Sequence, residues 1–144
     1  MIVPGQLGFG HDGHVFVSNE HTAIKVHERA TTYRNELAVY QRLRERGVDR
    51  VADHHVPKLI DWDDTRLIIE MSIVPRPFVL DFASAMLDHA PRFPQHVIDE
   101  RTEHWLELFG ENWEQVPLIV LELELRAGVY LLDPHPGNIA FEDD

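Results

Sequence analysis

The sequence predicts an α+β fold, a small five-stranded antiparallel sheet carrying one helix and followed by a reduced, mainly helical second half. Three observations point to it. Short alternating or apolar runs divided by turn residues fill residues 1–73, one helical stripe interrupts them near residues 31–46, and from Val79 onward the apolar spacing becomes helical.

The first strand, Val3 to Leu7, runs into Gly8-Phe9-Gly10-His11-Asp12-Gly13-His14-Val15. Gly8, Gly10 and Gly13 let two strands meet over a ligand at a distance any side chain would prevent, leaving amide N–H groups to face phosphate oxygens. Dinucleotide sites and plain hairpins share this spacing, but a dinucleotide site needs a helix opening at the last glycine. Here His14-Val15-Phe16-Val17 continues as strand and Asn19-Glu20 turns, so the glycines sit in a hairpin. The next strand, Thr22 to Val26, projects the Lys25 ammonium from a fixed platform toward the same phosphates.

Thr31 or Thr32 suits a helix N-cap, and Gly47 suits the position just past its end. Between them Tyr33, Leu37, Tyr40 and Leu43 form one stripe, and Glu36 falls inside it. A carboxylate facing the interior is costly unless a cation pairs with it, and Lys25 is the cation at hand. Strands Lys58 to Asp61 and Arg66 to Met71, joined at Asp63-Asp64, complete the sheet. Leu67-Ile68-Ile69 has no polar alternation and reads as a strand covered on both faces, ended by Pro75 and Pro77.

In the second half, Val79 to His89 reads as a helix and Gln95 to Phe109 as another, amphipathic through Val97, Ile98, Trp105, Leu108 and Phe109 and ended by Gly110. Within Trp113 to Arg126 the Leu121–Leu125 portion alternates like a strand. The length of the run and its leucines and glutamates favour a buried helix, with Pro117 tolerated in the first turn. An apolar strand then delivers Asp133 to a loop stiffened by Pro134 and Pro136, and Asn138 opens a further apolar strand.

Composition narrows the partners. A net charge of −12 disfavours nucleic acid and anionic membrane. The absence of cysteine excludes disulfides, thiolate catalysis and cysteine-ligated zinc. Met1 to Gly5 lacks signal-peptide character, and the longest apolar stretch, Val116 to Leu125, is interrupted by Glu122 and Glu124. A soluble, cytoplasmic protein is expected. His11 with His14, or His54 with His55, lacks the spacing and carboxylate of a zinc site, and scattered surface histidines are expected instead.

The hairpin and lysine segment resembles the glycine-rich loop and strand lysine of protein kinases at Gly8, Gly10, Gly13, Val15, Ala23 and Lys25. Asp133-Pro134-His135-Pro136-Gly137-Asn138 keeps the five-residue interval of the kinase catalytic loop. Its wording is most similar to atypical kinases of the ubiquinone-biosynthesis type and to aminoglycoside phosphotransferases. The resemblance implies a kinase-like fold with an N-lobe over 1–73 and a reduced C-lobe over 74–144. It implies ATP and Mg²⁺ as cofactors and a hydroxyl of an unidentified small molecule or protein as phosphoacceptor. Lys25 pairs with Glu36 in this picture, Asp133 is the catalytic base, Asn138 a metal ligand, and His135 takes the place where protein kinases usually carry a lysine near the transferred phosphate. Glu70, Met71 and Ile73 would lie against adenine if the chain before Pro75 is a hinge; a strand leading into a proline-rich connector fits the same residues.

Two departures bear on function. Leu131 and Leu132 stand where protein kinases have His-Arg, and only Ile139 to Asp144 follow Asn138, leaving no room for the hairpin that presents the Asp-Phe-Gly aspartate, the main Mg²⁺ ligand, or for an activation loop. Glu142, Asp143 and Asp144 would lie roughly 13 to 20 Å from Asn138 on an extended strand. Two classes therefore stand, a miniature phosphotransferase and a nucleotide-binding pseudokinase or scaffold module. In the first, a second copy or a partner protein could supply the missing carboxylate.

Overall fold

The computed structural model describes residues 5–10, 13–74, 79–82, 85–88, 93–131 and 138–141, with the backbone alone at 5–10, 13 and 79. The architecture is α+β. Strands β1 (Gly5–Gly10), β2 (Gly13–Val17) and β3 (Thr22–Val26) lead into helix α1 (Ala30–Glu45), followed by β4 (Arg50–Val51), β5 (His54–His55), β6 (Leu59–Asp63) and β7 (Ile68–Ser72). The second half holds β8 (Val79–Leu80), β9 (Ala85–Leu87), α2 (Gln95–Phe109), a 3₁₀ turn (Gly110–Gln115), α3 (Val116–Ala127), β10 (Val129–Leu131) and β11 (Ile139–Ala140).

Among the described residues the strands make an antiparallel sheet in the order β1-β2-β3-β7-β6, a β9-β10 pair, and a second sheet in the order β11-β8-β5-β4. The first sheet follows from its sequence. Its strands are rich in β-branched and aromatic residues, and its turns use Asx chemistry: the Asp63 carboxylate accepts from the backbone N–H groups of Thr65 and Arg66. Ile68 and Ile69 are both buried, so β7 is covered on its two faces, whereas Leu67 lies in the turn at φ +58°.

Helix α1 begins before Thr31, with Arg29 as its N-cap and no side-chain cap bond. Its other end is closed as the glycine suggested. Gly47, at φ +66°, donates to Leu43's neighbour Arg44, and Val48 donates to Leu43, the paired bonds of a Schellman motif. Tyr33, Glu36, Leu37, Val39, Tyr40 and Leu43 form the buried face.

Two expectations are corrected. The described residues of the expected helix over 79–89 are strands: Val79–Leu80 pairs with Ile139–Ala140, and Ala85–Leu87 pairs with Val129–Leu131, both antiparallel. Backbone partners some fifty residues away satisfy these amides, and that outweighs a local helical spacing. Helix α3 is helical as expected but not buried. It packs on Val116, Ile119, Leu123 and Ala127, while Leu118, Leu121 and Leu125 are exposed. Helix α2 is likewise open, with Phe109 its one fully packed residue and Ile98 and Leu108 exposed.

One apolar cluster runs from Ala23 through α1 to Leu131 and Ile139. Helix α1 is tied to the second half by a two-pronged Arg42–Asp88 pair at 2.8 and 2.9 Å, by Arg42 donating to the Ala127 carbonyl, and by Asn35 donating to the Ala85 carbonyl. These ties fix the helix carrying Glu36 against β9 and the end of α3. Among the described residues no helix is long and apolar enough to cross a membrane.

Candidate functional site

Strand pairing puts the site on one face of the first sheet. Residues directly opposite one another point to the same side, and the register sets Val15 opposite Lys25, Lys25 opposite Ile69, and Ala23 opposite Met71. In the backbone ladder Gly8 lies opposite Val15 and Gly10 opposite Gly13, so the three glycines fall in the β1–β2 pair at the edge of the sheet, next to β3. Ile24 and Glu70 face the other way. The Glu70 carboxylate accepts a hydrogen bond from the Thr22 hydroxyl there, so any contact of Glu70 with a ligand on the Lys25 face falls to its backbone groups.

Lys25 and Glu36 meet. The ammonium donates to both carboxylate oxygens at 2.9 Å, and the residues are only 3 % and 1 % exposed. Burial alone would push the lysine pKa down, but the charges of Glu36 and Asp81 more than offset this and hold it above 10.5. Burial alone would push Glu36 up, yet the His27 hydrogen bond and the Lys25 charge hold it below 4.5. The pair is ionised across the neutral range.

Two neighbours escaped sequence reasoning. His27 is buried, with Nε2 at 3.1 Å from Glu36 Oε1 and its ring edge-on to Tyr33. It sits two residues past Lys25, on the same side of the chain, which is the signal that could have exposed it. Asp81 follows β8, with Oδ1 at 3.7 Å from Lys25 Nζ. Its backbone N–H donates to the Asn138 carbonyl at 2.9 Å. Since Leu80 lies opposite Ile139, Asp81 extends the ladder to sit opposite Asn138. Its signal is an apolar pair delivering an aspartate, Val79-Leu80-Asp81, the same wording as Leu131-Leu132-Asp133.

Lys25, Glu36, His27, Asp81 and the buried Asn138 therefore converge. Val15, Ala23 and Met71 share the sheet face, and Ile73 lies just beyond β7, exposed. Asp133 and His135 fall outside the described residues, as do His11, Glu142, Asp143 and Asp144. The strands bounding the 132–137 segment are in place, with β10 paired to β9 and β11 paired to β8. The histidines are not all on the surface: His27 and His54 are buried, His54 against the edge of Phe141. No group of three metal-ligating side chains occurs among the described residues. A cavity of about 260 Å³ between α1 and residues 56–59 contains none of the expected site residues.

No family model and no curated protein matches the chain. Among solved structures, the chain is similar to a ternary complex of the phosphotransferase APH(2'')-IIa with streptomycin and ATP, at 12 % identity and a TM-score of 0.40. The match covers 85 % of this chain and 54 % of that one, so the chain spans about half the length of that structure.

Proposed function

We propose that the chain binds ATP in the cleft around Lys25 and transfers the terminal phosphoryl group to a hydroxyl of a small molecule or protein. One observation carries this reading: a buried lysine, locked to a helix glutamate by both carboxylate oxygens, stands on the strand next to the glycine hairpin and 3.7 Å from Asp81, whose backbone pairs with Asn138. A structural ion pair has no need of the hairpin or of the open acidic side formed by Asp81. In this reading residues 1–73 and 74–144 act as two lobes, and the backbone of 70–73 edges the adenine.

Each residue has a task. Hairpin amides between Gly8 and Gly13 cover the phosphates, and the Lys25 ammonium, held by Glu36, orients them. Asp133 aligns the acceptor hydroxyl and takes its proton as the acceptor oxygen bonds to phosphorus and the bridging P–O bond to ADP breaks. His135, two residues on in sequence, is assigned to the transferred group. Mg²⁺ takes hard oxygen donors, and the side-chain oxygen of Asn138 is of that class. When bound, the ion neutralises charge on the phosphates.

Calorimetric ATP titration and a turnover assay with Mg²⁺, on wild type, Lys25→Ala and Asp133→Ala, test the reading. The expected result is ATP binding lost with Lys25→Ala and turnover lost with Asp133→Ala. Binding that depends on Lys25 with no turnover in any protein would select the nucleotide-binding module instead. An absence of ATP binding by the wild type would end both readings.

A further inference from the structure

We infer that Asp81 supplies a metal-binding carboxylate beside Asn138, so that the segments bracketing the phosphates are joined in reversed order. This rests on the phosphotransfer reading. In the kinase arrangement the catalytic-loop asparagine comes first and an aspartate on a following hairpin completes the Mg²⁺ site. Here the hairpin partners precede the loop in sequence and still pair with its two flanks. β8 joins β11 on the Asn138 side, and β9 joins β10 on the Asp133 side. Asp81-Phe82 follows β8 directly and has the wording of the first two residues of Asp-Phe-Gly, with Ala83 next in sequence.

Geometry and chemistry agree on the role. Asp81 is fixed opposite Asn138 by a backbone hydrogen bond and flanks Lys25 at 3.7 Å. Phe82 anchors this stretch: it is fully buried, edge-on to Tyr40, and its carbonyl accepts from the Ala85 N–H. β8 is also held from its other side by a parallel pairing with β5. On this rigid base the Asp81 side chain remains 34 % exposed, whereas those of Lys25 and Glu36 are 4 % and 2 % exposed. Of the two carboxylates beside Lys25, Glu36 is thus enclosed as its structural partner and Asp81 is open to an incoming ion. Mg²⁺ held by one or two carboxylates together with nucleotide phosphates is the usual arrangement.

The test uses the full chain, Mn²⁺ as the probe and a non-hydrolysable ATP analogue, with bound Mn²⁺ read by electron paramagnetic resonance. Asp81→Asn is expected to weaken Mn²⁺ binding in the ternary complex by about tenfold or more, while affinity for the analogue without metal is retained or rises. Equal Mn²⁺ affinity in wild type and Asp81→Asn would overturn the assignment and leave the nucleotide reading standing. A wild type that binds no analogue, with or without Mn²⁺, would overturn both. Fe²⁺-directed backbone cleavage of the wild type needs no variant to fold: cuts near Asp81 and Asn138 that depend on the analogue are expected, and cuts confined to other segments would overturn the assignment.

Discussion

At the scale of single residues, the centre of the molecule is a buried charge pair whose partners cannot be removed separately. Replacing Glu36 with glutamine leaves the Lys25 ammonium in the interior with only Asp81 beside it, and a cost of about 3 to 5 kcal/mol is expected in urea unfolding. The pH dependence has a definite sign. Glu36 is held below 4.5 in the folded chain, so its contribution is full above that value and is lost as pH falls through the lower folded pKa. Lys25 is held above 10.5, so its contribution is full below 10.5 and is lost as pH rises through the folded pKa. Urea midpoints measured from neutral to acid pH should fall more steeply for wild type than for Glu36→Gln. Both members of the pair were legible in the sequence, because an acidic residue inside an apolar helical stripe calls for a nearby cation. His27 carried a local signal in its two-residue spacing from Lys25, whereas Asp81 carried none of its proximity to Lys25, which depends on pairing between distant segments.

Elements show where local pattern suffices and where it fails. Thr22–Val26 and Gln95–Phe109 carry clear periods and clear stops, and the structure places a strand and a helix at those bounds. Strands of two or three residues such as β8 and β9 carry no period of their own, so their apolar residues read as helix. α3 shows a third case. Its helical length was legible, yet a run of alternating leucine and glutamate does not reveal which leucines find a partner. Leu123→Ala should therefore cost about 2 to 5 kcal/mol, whereas Leu125→Ala, at a position 76 % exposed, should change stability by no more than about 0.5 kcal/mol; thermal melts of the two variants compare them directly. The junction of α3 and β10 is equally specific. Gly128 sits at φ +64°, and a Cβ there would lie 2.8 Å from Asp88 Oδ1 and 3.1 Å from Arg42 Nη1. Gly128→Ala should cost about 1 to 2 kcal/mol from backbone strain alone, seen as a lower urea midpoint, with further loss if the Arg42–Asp88 clamp is displaced.

For the whole molecule, the fold serves to bring two distant stretches to one lysine. The first sheet presents Lys25 and the glycine hairpin, the second leads into Asp81 and out of Asn138, and α1 is tied to the first sheet through Glu36 and to the β9 segment through Asn35 and Arg42. A net charge of −12 makes that lysine the more important, since an anionic ligand approaches an acidic protein and needs a local cation to meet it. Amide hydrogen exchange, with and without ATP and Mg²⁺, tests the central claim most directly. The account predicts slowed exchange in three stretches at once, residues 5–17, 22–26 and 79–82 together with 138–140; nucleotide-dependent protection confined to other segments, or none at saturating ATP, would contradict it.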